Sequence, residues 1–120
     1  MVKQLKLFEY EAKLIAREYG IPIPSGEVAD TPEKAREIAA KMGRPVVVKA
    51  QVLVGRRGLA GGVKVAINPD EAYAIAKNML GSIIRGEVVR TVLVEEKVCF
   101  EKEYYLSLTV DRARRSLVYL

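Results

Sequence analysis

The segment PVVVKAQVLVGRRGLAGGVKVA, residues 45–66, decides the fold. Val46, Val47 and Val48 are β-branched and continuous, and they read as a buried strand leading into Lys49. Glycines at 55, 58, 61 and 62 then surround the pair Arg56 and Arg57. In the run that follows, Val63, Val65 and Ile67 alternate with Lys64 and Ala66, the pattern of a half-buried strand. The segment is therefore strand, flexible loop, strand. Glycines let backbone N–H groups approach an anion, and the arginines add charge, so the loop suits phosphate. It is neither of the common nucleotide turns. No lysine–serine or lysine–threonine pair follows its glycines, a strand rather than a helix comes next, and the spacing is not GxGxxG. Glycines alone would equally make a mobile hairpin loop. Lys49 alone would equally be an exposed strand end; as a functional group it is a fixed cation for a phosphate.

The flanking sequence supplies helices. On the N-terminal side, Asp30 is the expected cap, Pro32 suits a first turn, and Ala35, Ile38, Ala39 and Met42 form a buried stripe closed by Gly43. Before it, Glu27-Val28-Ala29 reads as a short strand, and Ile21-Pro22-Ile23-Pro24 as a stiff connector and subdomain boundary. An amphipathic helix opens the chain, with Leu5, Phe8, Ala12, Ile15, Ala16 and Tyr19 on one face and Gly20 as its stop. On the C-terminal side, Asn68 caps and Pro69 starts a third helix whose inward stripe is Ala72, Ile75, Ala76 and Met79, with Gly81 ending it. Gly86 marks a turn. Val92, Leu93 and Val94 form a strand that ends in Glu95 and Glu96. EYYLSLTV, residues 103–110, reads as a strong strand, 111–115 as a hairpin turn and 116–120 as the return strand. The sequence stops inside that strand, which suggests a fragment. The helices at 31–42 and 69–80 each precede a buried strand, a weak repeat that follows from layering.

Composition narrows the function. With 120 residues, half of them hydrophobic, the chain is the size of one domain with a real core. No apolar run approaches the roughly 20 residues of a membrane span. Glu9 and Glu11 interrupt the start before a secretory signal can form, and the single cysteine, Cys99, has no internal partner. The expected setting is cytoplasmic. The net charge of +5 is spread along the chain rather than blocked, and aromatics are not interleaved with it, so nucleic acid ranks last among partners. Arg112, Arg114 and Arg115 read as an exposed turn. The absence of histidine excludes any histidine triad, ligand or proton shuttle carried by this chain alone.

Glu95, Glu96, Glu101 and Glu103 form a further group. Acids after an apolar strand are usually solvated, but Glu95 and Glu103 can instead bracket a base pocket and accept hydrogen bonds from a ribose or an amino group. Val98, Cys99 and Phe100 between them offer apolar contacts, and Cys99 reads as a small buried hydrophobe rather than a nucleophile.

Taken in order, LFEYEAKLIAREYGIPIPSGEVADTPEKAREIAAKMG, VVVKAQVLVGRRGLAGGVKV, LVEE and KEYYLSLTVDR resemble the N-terminal ATP-grasp region of ADP-forming succinyl-CoA synthetase β subunits, over essentially the whole chain. Related acyl-CoA synthetases and citrate-cleaving enzymes share that architecture. The resemblance implies an α+β fold, mainly the small ATP-grasp lid: a mixed or antiparallel sheet with helices packed on it. It assigns residues 1–23 and 103–120 to a second subdomain and 24–102 to the lid. It implies ATP or GTP with Mg2+, succinate and CoA as substrates of the complex, and an α subunit whose histidine carries phosphate. Matched position by position, the nucleotide-binding residues are Lys49, Arg56, Arg57, Gly58, Glu95, Val98 and Glu103, with Val98 acting through its backbone. Catalytic and metal-binding residues are expected outside this chain, and the 120 residues alone are expected to be inactive. Arg56 stands where the family has glycine. Pro24 aligns where ATP-preferring members have proline. A related acyl-CoA or malate-CoA ligase β subunit and a non-catalytic nucleotide-binding module are the alternatives.

Overall fold

The computed structural model describes residues 6–120. It is α+β, with helices α1 (Glu9–Glu18), α2 (Pro32–Met42) and α3 (Pro69–Met79). The strands are β1 (Gly26–Ala29), β2 (Val46–Ala50), β3 (Val63–Ala66), β4 (Ile83–Ile84), β5 (Glu87–Val88), β6 (Val92–Glu96), β7 (Leu108–Asp111) and β8 (Ser116–Tyr119). The central sheet has the order β1-β6-β2-β3, and every neighbouring pair in it is antiparallel. Because β6 runs antiparallel to both β1 and β2, those two are parallel to each other; β3 and β6 are likewise parallel across β2. The fold is thus two interleaved split β-α-β units, β1-α2-β2 and β3-α3-β6. This is the structural content of the weak repeat in the sequence.

Helices α2 and α3 pack against each other and on one face of this sheet. Their starts follow local chemistry. Asn68 accepts from the Glu71 N–H at 2.8 Å, and each helix has a proline in its first turn. The cap of α2 is Thr31, whose Oγ1 accepts from Lys34 at 3.1 Å, and not Asp30. Both residues are good caps; the helix begins at Pro32, so the residue directly before it takes the role. The core beneath the helices holds Ala35, Ile38, Ala72, Ala76 and Met79 against Val46, Val48, Ala50, Val92 and Val94.

In β3 the buried residue is Ala66, while Val63, Val65 and Ile67 are exposed. Register explains this. Ala66 lies opposite Val46 on the helix-covered face, and Val65 and Val63 lie opposite Val47 and Lys49 on the other face.

Two expectations about the C-terminal part change. Strand β7 begins at Leu108 rather than at residue 103, because residues 102–106 have no strand opposite them. Ser107 and Leu120 still exchange backbone hydrogen bonds at 3.1 and 2.8 Å. The turn between β7 and β8 is as expected, with Asp111 Oδ1 accepting from Ala113 and Arg114. Cys99 is exposed, not buried, because the chain leaves the sheet after β6 and runs without regular structure. The turn at Gly86 joins β4 to β5.

Candidate functional site

The second face of the central sheet carries Lys49 and Glu95. Each sits at an alternate position from the core-facing valines of its strand, so the strand period of two turns them away from α2 and α3. Lys49 lies within β2, one residue before its end, rather than beyond it. Helix α1 crosses this face, and it does so with the side the sequence would assign to solvent. Glu9 and Lys13 meet Lys49 and Glu95, and Glu9 also meets Arg57 of the loop, while Ile15 and Tyr19 of the expected inward stripe are exposed and no residue of α1 is buried. Leu5 of that stripe lies outside the described residues. The physical reason is electrostatic: the Glu95 side chain is only 4% exposed, and a carboxylate so buried requires cations at hand.

The resulting cluster is continuous. Lys49 Nζ is 2.5 Å from Glu95 Oε1 and 2.8 Å from Glu9 Oε1. Lys13 Nζ is 2.6 Å from Glu95 Oε2 and 3.1 Å from Glu9 Oε1. The other oxygen of Glu9 accepts from the Arg57 guanidinium, which also donates to the Ala50 carbonyl at 2.8 Å. Three cations face two carboxylates, a net charge of +1. Burial alone would raise the Glu9 carboxyl, but hydrogen bonds from Lys49 and Arg57, with their charges, outweigh it and bring its pKa down to about 2. Burial opposes the charge on Lys49 too, yet Glu9 and Glu95 raise its pKa above 10.5.

The glycine loop lies beside this cluster. Gly55, Arg56, Arg57 and Gly58 line an open cleft together with Glu9 and Val52. Arg56 has φ 58, in the left-handed region where glycine is the unstrained residue. Gly62 donates to the Arg57 carbonyl at 2.7 Å, and a Cβ on it would sit 3.1 Å from the Arg57 Cβ. The start of the loop is pinned from the β4–β5 hairpin. Glu87 Oε2 accepts from the Leu53 N–H at 2.9 Å, and Arg85 donates to the Gly55 carbonyl at 3.2 Å. On the other side of Glu95, a cavity of about 300 Å³ opens between α1 and the β1–β6 edge, lined by Tyr10, Leu14, Pro24, Val28 and Leu93.

Of the residues singled out from sequence, the structure brings together Lys49, Arg57 and Glu95, with Arg56 and Gly58 at the adjoining cleft. Val98 and Glu103 are exposed on the irregular segment and take no part in the cluster. Sequence reasoning missed Glu9, Lys13, Gln51 and Glu87. Glu9 and Lys13 did carry a signal, an acid four residues before a base on one helix face. Gln51 is buried, accepts from the Tyr10 N–H at 3.1 Å and thereby ties α1 to the strand. Among the described residues, no group of three acidic or thiol side chains is placed to hold a metal.

Residues 6–120 match the ATP-grasp domain family. The chain is 59% identical, over 116 residues, to the β subunit of an ADP-forming succinate–CoA ligase from Staphylothermus marinus, covering 97% of this chain and 31% of that protein. It is 53% identical, over 114 residues, to the β subunit of a GDP-forming succinate–CoA ligase from Thermus thermophilus, covering 95% of this chain and 30% of that protein. The chain therefore spans about a third of the length of the curated relatives it matches. Among solved structures it resembles a dinucleotide-forming acetyl-coenzyme A synthetase of Ca. Korarchaeum cryptofilum, in complex with coenzyme A, Ca-AMPCP and HgCl+. That likeness has a TM-score of 0.64 and 26% identity, and covers 78% of this chain and 44% of that one.

Proposed function

This chain belongs to the ATP-grasp domain family, and on that premise we propose that it is the nucleotide-binding N-terminal part of a succinate–CoA ligase β subunit. The observation that carries the reading is the convergence of Lys49 and Arg57, from a strand and from the glycine loop, on one carboxylate beside the cleft. Two cations held on a single pair of oxygens form the donor set that a nucleotide phosphate needs. Arg56 and Gly58 extend that site through the loop. Glu95, at the mouth of the cavity that contains Pro24, serves the ribose or base. Val98 at the end of the lid and Glu103 at the start of the second subdomain complete the nucleotide contacts. Residues 1–23 and 103–120 belong to that subdomain and 24–102 to the lid.

In this reading the whole enzyme is cytoplasmic and pairs with an α subunit. Phosphate passes from ATP to a histidine of that subunit, then to succinate, and CoA displaces it. The chain contains no histidine, so the acceptor must come from elsewhere. Magnesium would be held by nucleotide phosphates and by residues outside this stretch; the described residues supply no cage for it. What the chain itself contributes is phosphate binding, base orientation and a loop that covers the nucleotide.

The test is a full-length β subunit combined with its α partner, supplied with labelled ATP, succinate and CoA. Succinyl-CoA and a labelled α histidine are expected, and an unlabelled partner would sink the reading. The likeness to an acetyl-coenzyme A synthetase favours one second reading, a ligase for another small acid. A panel of acids under the same assay separates the two.

A further inference from the structure

Glu9 binds the same two cations that the nucleotide's phosphates are proposed to use. Both of its carboxylate oxygens are engaged, one by Lys49 at 2.8 Å and the other by the Arg57 guanidinium. A carboxylate bridging a lysine and an arginine has the charge and oxygen spacing of part of a phosphate group. Glu9 also lines the cleft beside Arg56, Arg57 and Gly58. It lies in the first turn of α1, whose remaining ties to the sheet are the Tyr10 N–H to Gln51 and Lys13 to Glu95.

We propose that Glu9 is an internal competitor of the nucleotide's phosphates, a carboxylate that holds Lys49 and Arg57 in register and is displaced from them when phosphate arrives. The proposal rests on the nucleotide reading above and adds a residue to it. Displacement has a ready destination. Lys13 Nζ already lies 3.1 Å from Glu9, four residues along the same helix, so a carboxylate released from Lys49 and Arg57 still keeps one cation. With a pKa near 2, Glu9 stays charged throughout the working range, so protonation does not relieve the competition. The contact couples occupancy of the phosphate loop to the seating of α1. A helix that buries none of its residues is held chiefly by these polar ties and yields when one is exchanged.

The experiment uses the full-length protein, with inorganic tripolyphosphate and ATP as probes in calorimetry. Glu9→Gln removes the charge and keeps the shape. It is expected to bind tripolyphosphate about tenfold more tightly than wild type, since the repulsion of a carboxylate within bonding distance of the same cations is gone. Equal or weaker binding by Glu9→Gln overturns the proposal and makes Glu9 a simple support for Lys49. Hydrogen exchange of the wild-type protein keeps the test open should the variant misfold. Tripolyphosphate should speed exchange of the amides in Glu9–Glu18 while slowing it in the loop at 55–62; unchanged or slower exchange in α1 overturns the proposal. If wild type binds neither probe, the nucleotide reading fails and the proposal with it. If wild type binds both and Glu9→Gln gains nothing, the nucleotide reading stands and only the competitor role is lost.

Discussion

Gly26 lies directly opposite Glu95 across the β1–β6 pair, and a Cβ built on Gly26 would come within 2.6 Å of the Glu95 Cβ and 2.9 Å of the Val94 carbonyl. The missing side chain is what lets the Glu95 carboxylate sit buried between Lys13 and Lys49. Gly26→Ala therefore forces β1 and β6 apart. Stability should fall by about 1–3 kcal/mol in chemical denaturation, the cost of overpacking. Gly55→Ala, where nothing lies within 4 Å, should be close to neutral. Equal effects at the two positions would contradict this account.

Lys49→Ala leaves Glu9 and Glu95 facing one another with one cation fewer. In the full-length protein, nucleotide affinity should drop by roughly 10- to 100-fold, the worth of one charge-assisted hydrogen bond. Arg56→Gly should raise stability. Arg56 holds φ 58, and relieving that conformation outweighs glycine's added freedom in the unfolded chain, a net gain of up to about 1 kcal/mol. Calorimetric titration with ATP checks the first change, and thermal denaturation checks the second.

Glu87 anchors the loop from outside it. Removing its side chain in Glu87→Ala deprives the Leu53 N–H of its acceptor and should cost about 1–3 kcal/mol. The same change should loosen the loop that follows. Trypsin, which cleaves after arginine, would then cut at Arg56 and Arg57 several-fold faster than in wild type. Cleavage at an unchanged rate would mean the loop is held by its own contacts, such as Gly62 to Arg57.

The cluster sets a pH window. Glu9 has its folded pKa depressed to about 2 from 4.5, so its stabilisation is fully present above 4.5 and is lost as pH falls towards 2. Lys49 has its folded pKa raised above 10.5, so its share is fully present below 10.5 and is lost as pH rises through the higher folded value. Between those limits the contribution is flat. Denaturation of wild type and Glu9→Gln across the acid range should show a gap that closes as pH approaches 2; a gap independent of pH would place the contribution of Glu9 elsewhere.

Much of the fold was legible because its signals are local. Pro32 and Pro69 open helices, Asn68 caps one, and the turns at Gly86 and 111–115 fall where their residues demand. The strand–loop–strand reading of residues 45–66 holds for the same reason: β-branched runs and a glycine cluster act within a few residues of themselves. The orientation of α1 was not legible. Its periodicity located an apolar stripe, but a stripe only says which residues share a face, not which face a distant charge will attract. Phe8, Ala12 and Ile15 looked inward by pattern, and Glu9 and Lys13 turned inward in fact.

The sequence by itself determined most of the elements and marked Lys49, Arg56, Arg57, Gly58 and Glu95 as candidate residues. Only the tertiary structure decided their partners. Lys49 and Glu95 are neighbours because β2 and β6 pair in one register, and Glu9 reaches Lys49 across 40 residues of chain because a buried carboxylate and a half-buried lysine draw the charged face of α1 onto the sheet. Charges that far apart in sequence leave no local pattern; their pairing exists only once the sheet has set where each one points.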